Sequence, residues 1–204
     1  MRLSRRGGEF TLQVHDTELM TNAAHASEDA LGELVCARIS AIPDAAVLIG
    51  GLGMGFTLAA ALKGLGPRAR VVVCELIAAV VEWNRGPLAH LAGHPLSDAR
   101  VTVRIEDVAM SLRSGSASFD GILLDVDNGP RGLTRASNDW LYSDDGLAAS
   151  YVALRPDGVL AVWSSSPEKS FAMRLRKVGF EAEEVRIHTG TGDRHTIWLA
   201  TKRR

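Results

Sequence analysis

Four groups of residues in this chain have the types and the spacing to do chemistry. The first is a ladder of glycines at every second position, Gly51, Gly53 and Gly55, within "AAVLIGGLGMGFT" (45–57). Glycines there let the backbone take torsions closed to other residues and approach a ligand closely. The second is Glu75, which closes "RVVVCE" twenty residues after Gly55 (75 − 55). A carboxylate so placed can accept from both hydroxyls of a ribose, and it repels a 2′-phosphate. The third is Asp107, after "VTVRIE", where a side chain can accept from an adenine amino group; Glu106 can take the same part. The fourth is "FDGILLDVDNGP" (119–130), a strand ending in Asp125 and followed by Asp127 and Asn128. An acid there can orient an amine or a cofactor's ammonium. Together these groups describe a site for a nucleotide-type cofactor and its reacting partner.

The surrounding elements must bring them together. Apolar runs at 45–50, 70–75, 101–105, 119–126 and 158–164 predict short strands buried on both faces, as in a parallel sheet. Helical stretches lie between them at 56–65, 76–85, 107–113 and about 138–154, the last opening at "SDD" (143–145). A further helix is punctuated by Ser166 as N-cap, Pro167, Glu168 and the stop at Gly179. "EAEEVRIH" and "HTIWLAT", on either side of "TGTGD", predict a C-terminal antiparallel hairpin. The expected fold is α/β, a doubly wound, mostly parallel sheet of seven strands closed by that hairpin. In such a sheet every group named above sits at a carboxyl end, where ligands bind. Residues 1–25 are expected to hold one edge strand, "EFTLQVHD", and a lid-like segment; 26–204 form a single domain opened by the helix "SEDALGELVCARIS". The basic ends "MRLSRR" and "TKRR" are expected as solvated tails.

Bulk properties remove other classes. The 204 residues carry a net charge of −1, no footprint for nucleic acid. No apolar run reaches membrane-spanning length and no signal-peptide core opens the chain, so a cytoplasmic location is expected. Cys36 and Cys74 lie in apolar segments as buried thiols rather than a disulfide. His90 and His94 have ligand-like spacing, but Gly93 and Pro95 oppose a helix and no acid stands as third ligand, so no metal is expected.

The loop reads G-x-G-x-G, with Phe56 where a pyrophosphate-binding fingerprint places its third glycine. That disfavours NAD and fits the loop that cradles S-adenosylmethionine (SAM). With "IGGLGMGFT", Glu75, "RVTVRIEDV", "FDGILLDVDNGP" and "WLYSDDGLAASYVALRPDGVLAV", residues 45–165 resemble the spermidine synthase family, within the Rossmann-like class I methyltransferase fold. "LMTNAAHASEDAL" resembles that family's entry into the core, keeping Thr21 and Glu28 without its Gln and Tyr. The resemblance implies SAM or decarboxylated SAM as donor, held by Gly51, Gly53, Gly55, Glu75, Asp107 and Asp125. It also implies Asp125 and Asp127 as the acids that serve the reaction.

Two departures bear on the activity. The family's loop carries an Asp that favours the decarboxylated donor; here only Leu52 and Met54 stand between the glycines. The second acid of the family's Asp-x-x-Asp-Pro is Asn128, unless Asp127 substitutes for it. Trp140 and Tyr142 are candidates for the acceptor wall and His25 for a base, with core packing and a surface loop as the alternatives. The first expectation is therefore a SAM-dependent methyltransferase acting on a small molecule. The second is an aminopropyltransferase using decarboxylated SAM, and the third a non-catalytic nucleotide-binding or dimerisation module. A small-molecule acceptor is the expected partner, with a homodimer left open.

Overall fold

A computed structural model describes residues 1–15, 17–126, 140–188 and 194–203. The N-terminal segment builds more than the one strand expected. β1 (Arg2–Arg6), β2 (Glu9–Val14) and β3 (Thr17–Thr21) form a three-stranded antiparallel sheet in that order. The expected basic tail is thus β1, paired through Leu3↔Leu12 and Arg5↔Phe10. Leu3 packs on a small cluster of Phe10, Leu12, Met54, Phe56 and Leu88, which fastens this sheet to the main domain. One apolar residue among arginines gives little local signal; the strand exists because its partner and this cluster exist.

α1 (Ala26–Ile39) leads into β4 (Ala46–Gly50), buried at every position. Alternation along β4 splits the core in two. Val47 and Ile49 face a cluster with Leu31 and Val35 of α1 and Leu58 of α2 (Phe56–Gly64). Leu48 faces the opposite cluster with Leu112, Leu147 and Phe171. β5 (Arg70–Cys74), α3 (Ala78–Arg85), β6 (Val101–Arg104), α4 (Val108–Ser114) and β7 (Phe119–Leu124) continue the βα alternation. α5 (Asp144–Ala153) starts at Ser143, whose hydroxyl accepts from the Gly146 amide, with Asp144 and Asp145 at the positive end. It is shorter than the 138–154 expected.

β8 (Leu154–Ser164) follows, longer than expected because it takes in the turn at Arg155–Gly158. α6 (Lys169–Val178) then starts two residues later than the punctuation predicts, with Glu168 rather than Ser166 at the N-cap position. The Ser166 carbonyl is taken by the Ser164 hydroxyl, which holds that residue in the loop. Gly179 ends the helix at φ 114°, as expected. β9 (Phe180–His188) and β10 (Arg194–Lys202) form the antiparallel hairpin, and the "TGTGD" turn lies outside the described residues. The basic C-terminus is not a free tail, since Lys202 Nζ donates to the carbonyls of Tyr151 and Leu154.

The seven strands run β6-β5-β4-β7-β8-β10-β9, with β10 antiparallel to both neighbours. Strand order reverses at β4, so a crevice opens beyond the carboxyl ends of β4 and β7. β10 runs against its neighbours, which brings its first residues to that same end. Among the described residues no helix is long and apolar enough to cross a membrane.

Candidate active site

The turn after β4 is held by its glycines. Gly51, Gly53 and Gly55 have φ of 89°, 51° and 85°, in the region that favours glycine. A Cβ on Gly51 would lie 2.1 Å from the Asp125 carbonyl oxygen, so this glycine lets the ends of β4 and β7 close on each other. The buried Asn84 amide donates to the Gly53 carbonyl (2.8 Å) and pins the turn from α3. Leu52 and Met54 point into the core. Gly51 and Gly53 therefore face the crevice, whereas Gly55 opens α2 against Asn84 and Pro95.

The crevice is a cavity of about 360 Å³ between the strand ends and the N-terminal sheet, a size that suits a nucleoside-bearing ligand. Its wall carries six carboxylates: Glu18, Glu28, Glu75, Glu106, Asp107 and Asp125. No lysine or arginine stands among its described lining residues.

Each acid is positioned by the backbone around it. Glu75 accepts from the Leu52 amide (3.0 Å) and the Ile77 amide (2.8 Å), which spans the glycine turn and the start of α3. A carboxylate has about four acceptor positions, so about two remain for ribose hydroxyls. Asp107 caps α4 by accepting from the Ala109 amide at 2.9 Å. Glu106 is more heavily engaged, by the Ser111 hydroxyl (2.8 Å) and by Arg104 (3.6 Å). Asp107 is thus the freer acceptor of the two.

Asp125 is fixed through its amide to the Gly50 carbonyl and through Oδ2 to the Thr57 hydroxyl (2.7 Å). Protein surrounds its carboxyl except where it meets the cavity. Burial, and next the nearby Glu28 carboxylate, push it up to about 7, against the smaller opposing effect of the Thr57 hydrogen bond. No cation among the described residues neutralises it.

A hydrogen-bonded group closes the wall beside Glu28. Trp163 Nε1 donates to Ser27 Oγ (3.0 Å), and Ser27 donates to Glu28 Oε2 (2.5 Å). His195 Nδ1 meets the same Ser27 oxygen at 2.8 Å. Glu28, Trp163 and His195 all line the cavity.

Three acceptor-side candidates fall elsewhere. His25 stacks on Phe56 at 4.0 Å and pairs through Nδ1 with Asp29 at 2.7 Å, joining α1 to α2 outside the cavity lining. Trp140 lies under the Arg113 guanidinium at 4.0 Å. Tyr142 is buried and donates to the Val126 carbonyl at 3.0 Å. The last two follow the core alternative, although Tyr142 supports the cavity from behind because Val126 lines it. Asp127 and Asn128 lie outside the described residues. Trp163, in β8, also lines the cavity, and Ser27 and His195 carried no local signal. An α1 serine and a β10 histidine, 168 positions apart, meet only through the sheet order.

A family model for the spermine/spermidine synthase domain matches residues 32–181. The chain belongs to that family. No curated protein sequence matches it. Among solved structures it is similar to the spermidine synthase from Thermotoga maritima, at 19% identity and a TM-score of 0.75, over 99% of this chain and 72% of that one. A probable spermidine synthase from Corynebacterium glutamicum is similar at 18% identity and a TM-score of 0.68, over 98% and 75% of the two chains. An O-methyltransferase family protein from Burkholderia thailandensis shares the fold at 15% identity and a TM-score of 0.61, over 87% and 55%. At these identities the likeness establishes the fold, a class I methyltransferase sheet.

Proposed function

We propose that this protein transfers an aminopropyl group from decarboxylated SAM to a small amine. The observation that supports this best is the wall of six carboxylates without lysine or arginine among the described lining residues. Both reactants are cations: a donor with a sulfonium and an ammonium, and an acceptor that reaches neutral solution as an ammonium. Family membership over residues 32–181, and the similarity to structures of a spermidine synthase and a probable spermidine synthase, point the same way.

Glu75 takes the ribose hydroxyls and Asp107 the adenine amino group. Asp125 and Glu28 face the donor's aliphatic end, beside Gly51. Intact SAM brings its own carboxylate against that pair, at a cost of about 1–4 kcal/mol for like charges near contact. The glycine loop holds no acid, but acids from β7 and α1 reach the place by another route, which reverses the order of preference read from the loop alone. The sulfonium is already reactive, so the protein's work is alignment, exclusion of water and management of the acceptor's proton.

Calorimetric titration with decarboxylated SAM, SAM and NAD tests the reading, followed by a transfer assay on 1,4-diaminobutane. Decarboxylated SAM should bind about fivefold tighter than SAM or better, the lower end of that charge penalty, and NAD should not bind. The absence of an acid between the glycines favours a second reading, methyl transfer from intact SAM. Tighter binding of SAM, with no aminopropyl transfer, would select it. A folded protein that binds no donor at millimolar concentration would be a non-catalytic module.

A further inference from the structure

The amine acceptor of the proposed reaction must lose a proton before its lone pair can attack, since alkyl amines hold theirs to about pH 10. Asn128 carries an amide and cannot take that proton, and in the proposed reading Asp125 and Glu28 are engaged by the donor's ammonium. Resting on the aminopropyl-transfer reading, we propose that His195 is the base that takes the proton from the acceptor amine.

The hydrogen bonds define which ring nitrogen is available. Ser27 has one hydroxyl hydrogen, and it goes to Glu28 Oε2. Its oxygen accepts from Trp163 Nε1, so the contact at 2.8 Å requires His195 Nδ1 to be the donor. The lone pair of the neutral ring is then on Nε2, where no hydrogen bond among the described residues engages it. The Trp163 ring, edge-on at 4.8 Å, fixes the imidazole plane. His195 lines the cavity with Asp125 and Glu28, and sits at the start of β10, at the same end of the sheet as the donor site. Glu28 reaches the imidazole through Ser27 and stabilises the imidazolium formed when Nε2 takes a proton.

The step balances. The ammonium proton passes to Nε2, and the freed nitrogen pair attacks the donor carbon bonded to sulfur. The N–C bond forms as the C–S bond breaks, and sulfur keeps that pair as a neutral thioether. The imidazolium then returns its proton to water. The charged groups around His195 are Glu28 from α1, Asp125 beyond β7 and Glu18 from β3, all on the cavity wall, with Arg194 beside it on β10. Its cross-strand partner on β9 is the uncharged Ile187, and His188 faces Arg194.

His195→Asn keeps a donor near Nδ1 for Ser27 and removes Nε2. Using 1,4-diaminobutane and decarboxylated SAM, kcat/KM near pH 7 should fall about a hundredfold, while the calorimetric Kd for the donor stays within about twofold of wild type. The deficit should shrink steeply towards about pH 10, where free amine is already present. Ser27→Ala should give a smaller loss and displace the acidic limb of the wild-type profile. Wild-type kcat/KM in His195→Asn, or a loss equal at both pH values, would overturn the assignment. So would a wild-type protein that binds the donor and turns over no amine. Failure of the donor to bind wild type would remove the parent reading together with this one.

Discussion

The Thr57 hydroxyl donates to Asp125 Oδ2 across 2.7 Å, joining the first turn of α2 to the carboxyl end of β7. The bond spans the glycine turn, whose Gly51 admits no side chain because the Asp125 carbonyl fills that space. The acid at the centre of the site is thus held in place before any ligand arrives. One hydroxyl does not offset the burial of a carboxylate beside Glu28, and in the proposed function a cationic ligand is the partner.

Replacing Asp125 by Asn should separate stability from function. Its carboxyl is raised in the folded state, to about 7. As pH rises past the unfolded value near 4, the unfolded chain ionises first and the folded state loses relative stability until about pH 7. Asp125→Asn removes that penalty, so its melting temperature near pH 8 should match or exceed wild type by about 2–4 °C per kcal/mol relieved. Turnover should fall about a hundredfold or more. Strong destabilisation with full activity per folded molecule would make Asp125 a structural acid.

Donor binding should carry the same titration. A cation binds the ionised pair better, so affinity should weaken as pH falls from about 8 to about 6, by at most about tenfold per unit for one linked proton. Calorimetry across that range in wild type and Asp125→Asn checks it. An identical pH dependence in both proteins would assign the linkage to another group.

Glu75→Ala tests a residue with two duties. Loss of charged hydrogen bonds to the ribose should weaken donor binding by about 1–3 kcal/mol. Because Glu75 also accepts from the Leu52 and Ile77 amides, the variant should lose a further ~1–3 kcal/mol of folding stability. Denaturant melts beside donor titrations would resolve the two; an unchanged donor Kd would leave Glu75 only the structural duty.

The glycines of the turn should differ in tolerance. Gly51→Ala puts a Cβ 2.1 Å from a backbone oxygen at φ 89°. It should cost about 3 kcal/mol or more, since backbone strain is added to a close contact. Gly53→Ala meets only the Met20 sulfur at 3.0 Å, the end of a flexible side chain. At φ 51° it should cost about 1–2 kcal/mol, the strain of a left-handed torsion, with the larger effect on donor binding. Equal destabilisation in chemical denaturation would refute this ordering.

Much of this was legible locally. Continuous apolar runs announce buried parallel strands, because a strand covered on both faces has no polar side to show. Gly179 and Ser143 mark helix ends through torsions and caps that depend on near neighbours alone. Glu75, Asp107 and Asp125 could be placed because in a doubly wound sheet every strand's carboxyl end reaches one crevice. Other residues resisted reading. β1, with Leu3 its one apolar residue, is a strand only by virtue of β2. His25 stands where a lid would begin, yet Phe56 stacks on it, and local sequence holds no trace of that contact.

The sequence by itself determined the sheet, the glycine turn and the acids that follow β5, β6 and β7, because each rests on short-range periodicity or on position within one βα unit. Tertiary structure alone decided that Glu28 joins Asp125, that Ser27 orients His195 and that the N-terminal sheet covers the cavity. Those pairings bring together residues from distant parts of the chain. The Ser27–His195 contact exists because β10 enters the sheet antiparallel between β8 and β9 and delivers its first residues to the crevice, a topology that no local window encodes.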